Sequence, residues 1–335
     1  MQLRNDRAEL WAILPEALDT LSRLVEREPP ALSAGPFSPP PQLRVGATTL
    51  IPIRGPIMAR ASIFSQLFGF PSAEGIALQL REALADAKTK MILLDIDSPG
   101  GSVSGNAELA EELREARQQK SIIAQINSLA ASAAYWLAAQ ASEVVVTPTS
   151  EVGSIGVFIR HVDESGALQR EGLNVSLISA GKFKTEGNPF EPLGSDAKEA
   201  LQKRVDDKFD MFVDAVAAGR DVSVQKVLEN FGKGRLVSAE DALSAGMADR
   251  IDTLDGTIAR SGRRAVNASG IRTTRELESF LRDAGGFSSR EAKAIIAEGF
   301  KQTPDLRDGA EADDAAALSA IRSIANSLNG GCHDQ

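Results

Sequence analysis

With one cysteine and two histidines in 335 residues, the chain has little material for several common chemistries. Cys332, close to the end, cannot form an internal disulfide or a multi-thiolate metal site, and a reducing compartment is expected. A Ser-His-Asp triad would have to recruit His161 or His333, and His333 falls in a tail expected to be mobile. Aromatic residues make up only 5% of the chain, while alanine and glycine are abundant, which implies closely approaching helices and backbone. Basic charge is also short. Against 46 acidic residues stand 37 basic ones, and a net charge of −9 argues against nucleic acid as the main partner, because phosphate binding needs a concentrated basic face. Long apolar runs are missing too. The opening MQLRNDRAELWAILPEALDTL mixes charged with apolar residues and reads as neither a secretory signal nor an anchor, and no later stretch is long enough to span a bilayer. A soluble chain that stays in the compartment where it is made is expected.

What is present is an ordinary globular composition, 43% hydrophobic and 25% charged, in a length suited to one large domain with appendages or to two domains. Residues 6–26 place Leu10, Trp11, Leu14, Leu18, Leu21 and Val25 at helical spacing, with Pro15 as a kink or restart. Residues 28–42 hold six prolines and read as a linker or extended arm. A compact domain over 43–257 is expected to follow. Its first strand lies near 49–57, interrupted by Pro52 and Gly55 and so placed at an edge. Then come a helix at 76–84 and a strand at 91–96, a helix at 105–118 and a strand at 121–126, and a helix at 131–140. Strands at 143–147 and 155–159, a helix at 162–171 and a strand at 174–179 complete the alternation, which implies an α/β fold with mainly parallel strands. A long helix over 195–219, a short one at 223–231 and a segment at 236–251 capped by Ser238 and Gly246 close the domain. Beyond it lie a basic linker (258–274), two short helices opened by the capping boxes of Thr273 and Ser288, and an acidic tail over 301–335.

The chemistry concentrates in Met91–Trp136. Ser98-Pro99-Gly100-Gly101 ends a buried strand, so its glycine N–H groups can point free of any ladder at the carboxyl end of the sheet, where a developing oxyanion could be held. An ordinary strand-to-helix turn would look the same. Ser132 sits among alanines at a helix start, with Ser128 as a rival in the same stretch, and serines in alanine-rich helices are often only capping or core residues. The missing triad histidine turns attention to lysine, whose ammonium loses its proton more readily when desolvated. Lys182 and Lys184 both stand in 179–186, with Phe183 and Phe190 able to exclude water, although loop lysines are normally solvated.

The ordered set DSPGG, AASAAYWLA, VGSIGV (152–157) and SAGKFKTEGNPFEP (179–192) resembles the signal peptide peptidase A family of Ser-Lys peptidases, nearest its soluble phage branch of capsid or prohead proteases. The similarity extends over about 50–251. It implies Ser132 as nucleophile, Lys184 as general base and Ser154 as the hydroxyl that orients the lysine. Gly100, Gly101 and Ala133 would form the oxyanion hole, and a peptide would add as a strand along Ser102 and Val103 and near Val152 and Gly153. The family often has two glycines after the nucleophile where this chain has Ala133 and Ala134, and its membrane-bound members carry an anchor. The resemblance further implies a ClpP/crotonase-like spiral of β-α-β units, a homo-oligomeric ring with shared active sites, no cofactor and no metal. It implies location in the bacterial host or prohead, and scaffold proteins, capsid proteins and the chain itself as substrates. A structural capsid component with a vestigial site and a crotonase-type acyl-CoA enzyme are the alternatives. The latter would need a positioned carboxylate and an adenine-binding loop, neither of which can be identified.

Overall fold

Runs of β-branched and aliphatic residues that alternate with alanine-rich, charged segments build this molecule around one twisted sheet. A computed structural model of the chain describes residues 9–26 and 43–264. The chain divides into two units, Met1–Thr257 and Ile258–Gln335, and the fold described here is that of the first.

Strand β1 (Trp11–Ile13) leads directly into helix α1 (Pro15–Glu26). Periodicity suggested one helix from residue 6. Instead Pro15 takes the first helical position, where its missing N–H costs nothing, and the residues before it are extended. Strands β2 (Leu43–Val45) and β3 (Thr48–Arg54) form a hairpin. Two helices follow, α2 (Ile63–Phe68) and α3 (Ala73–Ala85), the second capped by the Ser72 hydroxyl, which accepts from the Gly75 N–H at 3.1 Å.

The central strand β4 (Met91–Ser98) is an unbroken apolar run at 91–94, buried on both faces as parallel strands are. After it come β5 (Gly100–Ser102), α4 (Asn106–Ala116), β6 (Ser121–Ala131), α5 (Ala133–Ala138), β7 (Glu143–Val146) and β8 (Glu151–Gly153). Helix α6 (Ser165–Arg170), the long α7 (Ser195–Arg220), α8 (Val224–Asn230), β9 (Leu236–Ser238), α9 (Ala239–Ala245), β10 (Arg250–Ile251) and α10 (Leu254–Arg264) complete the described chain.

The main sheet runs β10-β7-β6-β4-β3-β2, and β8 joins β6 to β9. Pairs β3–β4, β4–β6, β6–β7, β6–β8 and β7–β10 are parallel, which makes this a mixed α/β fold on a mainly parallel sheet. Strand β3 is therefore not an edge. Its Pro52 is tolerated because the described pairing with β2 stops at Leu50, leaving one side of Pro52 without a neighbour among the described residues. The hub is β6. Its first half pairs with β7, and its second half, beyond a register shift in the ladder with β4, pairs with β8 and ends at Ala131, just before Ser132.

Helices pack on this sheet through small residues. Gly219 of α7 approaches α5 so closely that a Cβ there would lie 2.3 Å from the Ala139 carbonyl oxygen. On the same contact Trp136 stacks on Phe212, with ring centroids 4.4 Å apart and planes 7° from parallel.

Several sequence expectations need correction. Residues 155–159 form no strand; the third strand edge arrives earlier, as β8, and only Phe158 makes a bridge. Residues 174–179 are also irregular, with Ile178 99% exposed, so their β-branched composition finds no sheet neighbour in a single chain. The caps at Ser238 and Gly246 form as expected. The start of the expected basic linker is helical as part of α10, while the proline-rich arm (28–42), the capping boxes at Thr273 and Ser288 and the acidic tail lie outside the described residues.

Candidate active site

Ser132 occupies an elbow between β6 and α5. Its backbone has φ 54° and ψ −118°, a conformation that L-residues rarely adopt and that costs of the order of 1–3 kcal/mol unless its surroundings enforce it. They do. The Ser132 N–H donates to the Gly153 carbonyl at 2.7 Å, and the Ser132 carbonyl accepts from Trp136 N–H at 2.9 Å. Gly153 (φ 110°) and Ser154 (φ 50°) are themselves left-handed, and the Ser154 N–H donates to the Arg235 carbonyl at 2.8 Å. The Ser132 hydroxyl donates to the Gly156 carbonyl at 3.3 Å. Two motifs separated by twenty residues thus meet: the alanine-flanked serine and the 152–157 turn. Ser128, the rival, lies within β6 itself, four residues before the elbow.

Behind the elbow the packing is tight. Ala133, Ala134 and Tyr135 are fully buried. The Tyr135 hydroxyl donates to the Met247 carbonyl at 3.0 Å, and burial raises its phenol so that it stays a neutral donor. The buried Asn106 at the start of α4 donates to the Ala133 carbonyl.

The glycine turn lies next to this elbow. A Cβ on Gly100 would fall 2.9 Å from the Ala131 carbonyl oxygen, and one on Gly101 would fall 1.9 Å from the Ile57 oxygen, so both positions need glycine. Gly100 and Ser102 direct backbone groups to Ile57, through Ile57 N–H to Gly100 carbonyl at 2.8 Å and Ser102 N–H to Ile57 carbonyl at 2.9 Å. Gly101 faces the other way. There it meets β1, which runs antiparallel in the register Trp11↔Ser102, Ala12↔Gly101 and Ile13↔Gly100. The Leu14 N–H donates to Pro99 and the Val103 N–H to Leu10, so by alternation Ala12 and Gly101 are the hydrogen-bonded pair between them. The amide expected to be free for an oxyanion thus faces the Ala12 carbonyl. Ser102 is engaged by the same segment, its hydroxyl donating to Glu9 at 2.7 Å.

Val152 and Gly153 differ from expectation as peptide-pairing residues. Strand β8 has β6 on one edge and β9 on the other, so both of its edges are filled and no further strand can add there. Phe158 takes that part, in a two-bond bridge with Trp11 at 3.0 Å each way.

Lys184 is not brought to Ser132 within the single chain. It lies exposed in a turn, its N–H donating to the Gly181 carbonyl at 3.2 Å, and among the described residues its ammonium makes no ion pair or side-chain hydrogen bond. Phe183 does not cover it. That ring is 51% exposed and carries the Lys182 ammonium 4.5 Å above its centre. His161 contacts the Asn188 carbonyl at 3.2 Å and no serine. Among the described residues no group of three His, Cys, Asp or Glu side chains could hold a metal, and no helix is long and apolar enough to cross a membrane. The one participant that residue types alone did not reveal is β1. Its continuous apolar run Leu10-Trp11-Ala12-Ile13 ahead of Pro15 was the available signal, and a helical spacing matched it equally well.

Residues 114–267, which contain Ser132, Ser154 and Lys184, match the profile of peptidase family S49. The chain is 32% identical over 296 residues to the head-tail preconnector protein GP5 of Enterobacteria phage P21, covering 80% of this chain and 59% of that protein. It is 35% identical over 234 residues to the capsid assembly protease C of Escherichia phage lambda, covering 69% of this chain and 53% of the relative. Protease 4 of Salmonella typhi is 28% identical over 192 residues, 56% of this chain and 30% of that protein. The chain thus spans little more than half the length of the phage relatives. Its residues 114–267 are similar to peptidase family S49.

Proposed function

We propose that the chain is a serine endopeptidase of phage or prophage head assembly, acting in the host cell or prohead, with Ser132 as nucleophile and Lys184 as general base. The observation that carries this reading is the enforced elbow at Ser132, which presents a hydroxyl at the end of a parallel strand beside a double-glycine turn.

In this reading Lys184, as a neutral amine, takes the Ser132 proton while Oγ adds to the scissile carbonyl. The N–H groups of Gly101 and Ala133 hold the oxyanion. The lysine then gives its proton to the departing amine, leaving an ester on Ser132. Water attacks that ester with the same lysine as base, which releases the new carboxyl end and restores the hydroxyl. Ser154 orients the amine.

Lys184 reaches Ser132 through assembly. The stretch around it exposes Leu173 (52%), Leu177 (46%) and Ile178 (99%) and belongs to no strand, which suits a surface covered by another copy of the chain. A homo-oligomeric ring of ClpP/crotonase-like spirals with sites shared between neighbours follows. The names of the two phage relatives support scaffold and capsid proteins as substrates.

Reaction with a serine-directed fluorophosphonate tests the reading. The unaltered chain should label at one site, Ser132→Ala should not label, and Lys184→Ala should label at least about 100-fold more slowly. Labelling that survives Ser132→Ala would overturn it, and no labelling of the unaltered chain would favour a structural capsid component with a vestigial site.

A further inference from the structure

We propose that the chain carries its own substrate mimic: Leu10–Ile13 lies in the peptide groove as a cleavable segment would, with Ala12 at the position whose carbonyl Ser132 attacks. This rests on the peptidase reading of Ser132 and adds the class of peptide the site accepts and the element that must leave before another peptide enters.

The register carries the argument. A peptide held for acyl transfer needs its scissile carbonyl on the oxyanion amides and its flanking backbone in a ladder. Strand β1 meets the second need in full and the first at the Gly101 amide. The Ala12 carbonyl faces Gly101, Leu10 pairs with Val103, and Trp11 pairs on the opposite side with Phe158, so β1 is a middle strand between two edges of the site. The Ala12 oxygen lies 2.2 Å from the point a Gly100 Cβ would occupy, and the Ala131 oxygen, one residue before the nucleophile, lies 2.9 Å from that same point. Trp11, Ala12 and Ile13 are 4%, 0% and 2% exposed, and Ser132 is 1% exposed. The position at the nucleophile takes a small side chain, and its neighbours take large apolar ones. With Lys184 remote in the single chain, the Ser132 hydroxyl rests on the Gly156 carbonyl, and the strand is held intact.

The preferred substrate is therefore an extended segment with a small residue on the acyl side of the cut, flanked by bulky apolar residues. Entry of such a segment displaces β1.

The test uses the full chain with Ser132→Ala, so that nothing is cut, and a fluorescently labelled peptide of the sequence Glu9–Pro15. Adding Trp11→Asp should tighten peptide binding by about tenfold or more, because a groove filled nine-tenths of the time shows a tenth of its intrinsic affinity. Equal affinity with and without Trp11→Asp, or no binding to a Trp11→Asp variant that keeps the parent's far-ultraviolet spectrum and cooperative melt, would overturn the proposal. Hydrogen exchange on the chain with Ser132→Ala alone avoids the risk of misfolding. Saturating peptide should release the amides of Trp11 and Leu14 while Val103 stays protected, and unchanged protection of Trp11 would also overturn the proposal. Neither readout needs the serine hydroxyl. Failure of fluorophosphonate labelling with peptide competition intact removes the peptidase reading alone, whereas labelling without competition removes the tethered strand alone.

Discussion

The side-chain amide of Asn106 donates a 3.1 Å hydrogen bond to the carbonyl oxygen of Ala133, the residue that follows Ser132. Asn106 is fully buried where α4 begins, so this bond ties the first turn of α5 to a second helix. Asn106→Leu keeps the volume and removes the donor. It should cost about 1 kcal/mol, the net worth of one hydrogen bond, because the same change also removes Asn106 Oδ1, which is buried without a partner among the described residues, and it should slow fluorophosphonate labelling of Ser132. Denaturant midpoints and labelling rates check both.

Gly101→Ala should be far more damaging than Gly156→Ala. A Cβ at 101 would sit 1.9 Å from the Ile57 backbone oxygen, whereas one at 156 meets nothing within 4 Å. The first variant should lose most soluble, folded protein, and the second should stay within about 0.5 kcal/mol of the parent. Thermal melts of the two, side by side, decide it.

Phe212→Ala should destabilise by about 3–5 kcal/mol, since the ring is completely buried and stacked on Trp136. Urea titration followed by Trp136 fluorescence measures the loss, and a cost below about 1 kcal/mol would mean that α7 does not pack on α5 as described.

Acid should weaken the clamp between Arg220 and Asp249. Arg220 ends α7 and donates to both carboxylate oxygens of Asp249, at 2.9 and 2.6 Å, while the Val144 N–H donates to Oδ2 at 2.7 Å. Burial pushes the Asp249 carboxyl up, but these hydrogen bonds and the guanidinium charge outweigh it and hold the group below the ordinary carboxylate range. A depressed value means that the folded state binds the proton less readily than the unfolded chain. The stabilisation is therefore full above about pH 4, the unfolded value, and fades as pH falls through the folded one. Asp249→Asn should lower stability by about 1–2 kcal/mol at pH 7, a figure kept modest because the carboxylate is 39% exposed. The gap from the parent should narrow below pH 4, and melts at pH 7 and pH 3 test that convergence.

Parallel strands announced themselves in the sequence wherever both faces are buried. The run at 91–94 and the long α7 are where periodicity placed them, because burial pattern and local propensity agree there. Disagreement arose where partners come from far away in the chain. Leu10–Ile13 has apolar residues that satisfy a helix or a strand, and only the distant Gly100–Ser102 and Phe158 select the strand. Val175, Leu177 and Ile178 have strand composition and no strand to join within one chain. The neighbourhood of Ser132, the proposed nucleophile, was legible because Ser132 and residues 152–157 are tied by backbone bonds inside one sheet. The role proposed for Lys184 rests on resemblance, since Lys184 touches neither Ser132 nor Ser154 among the described contacts.

Strand β6 is laddered to β4, β7 and β8 along its length and ends at Ala131, just before Ser132. A segment tied on so many sides is among the last to open, whereas the exposed turn around Lys184 is among the first. Warming should therefore part the proposed base, supplied by a neighbouring copy, from the proposed nucleophile while the sheet is still whole, so that reactivity toward the fluorophosphonate disappears several degrees before the sheet itself melts.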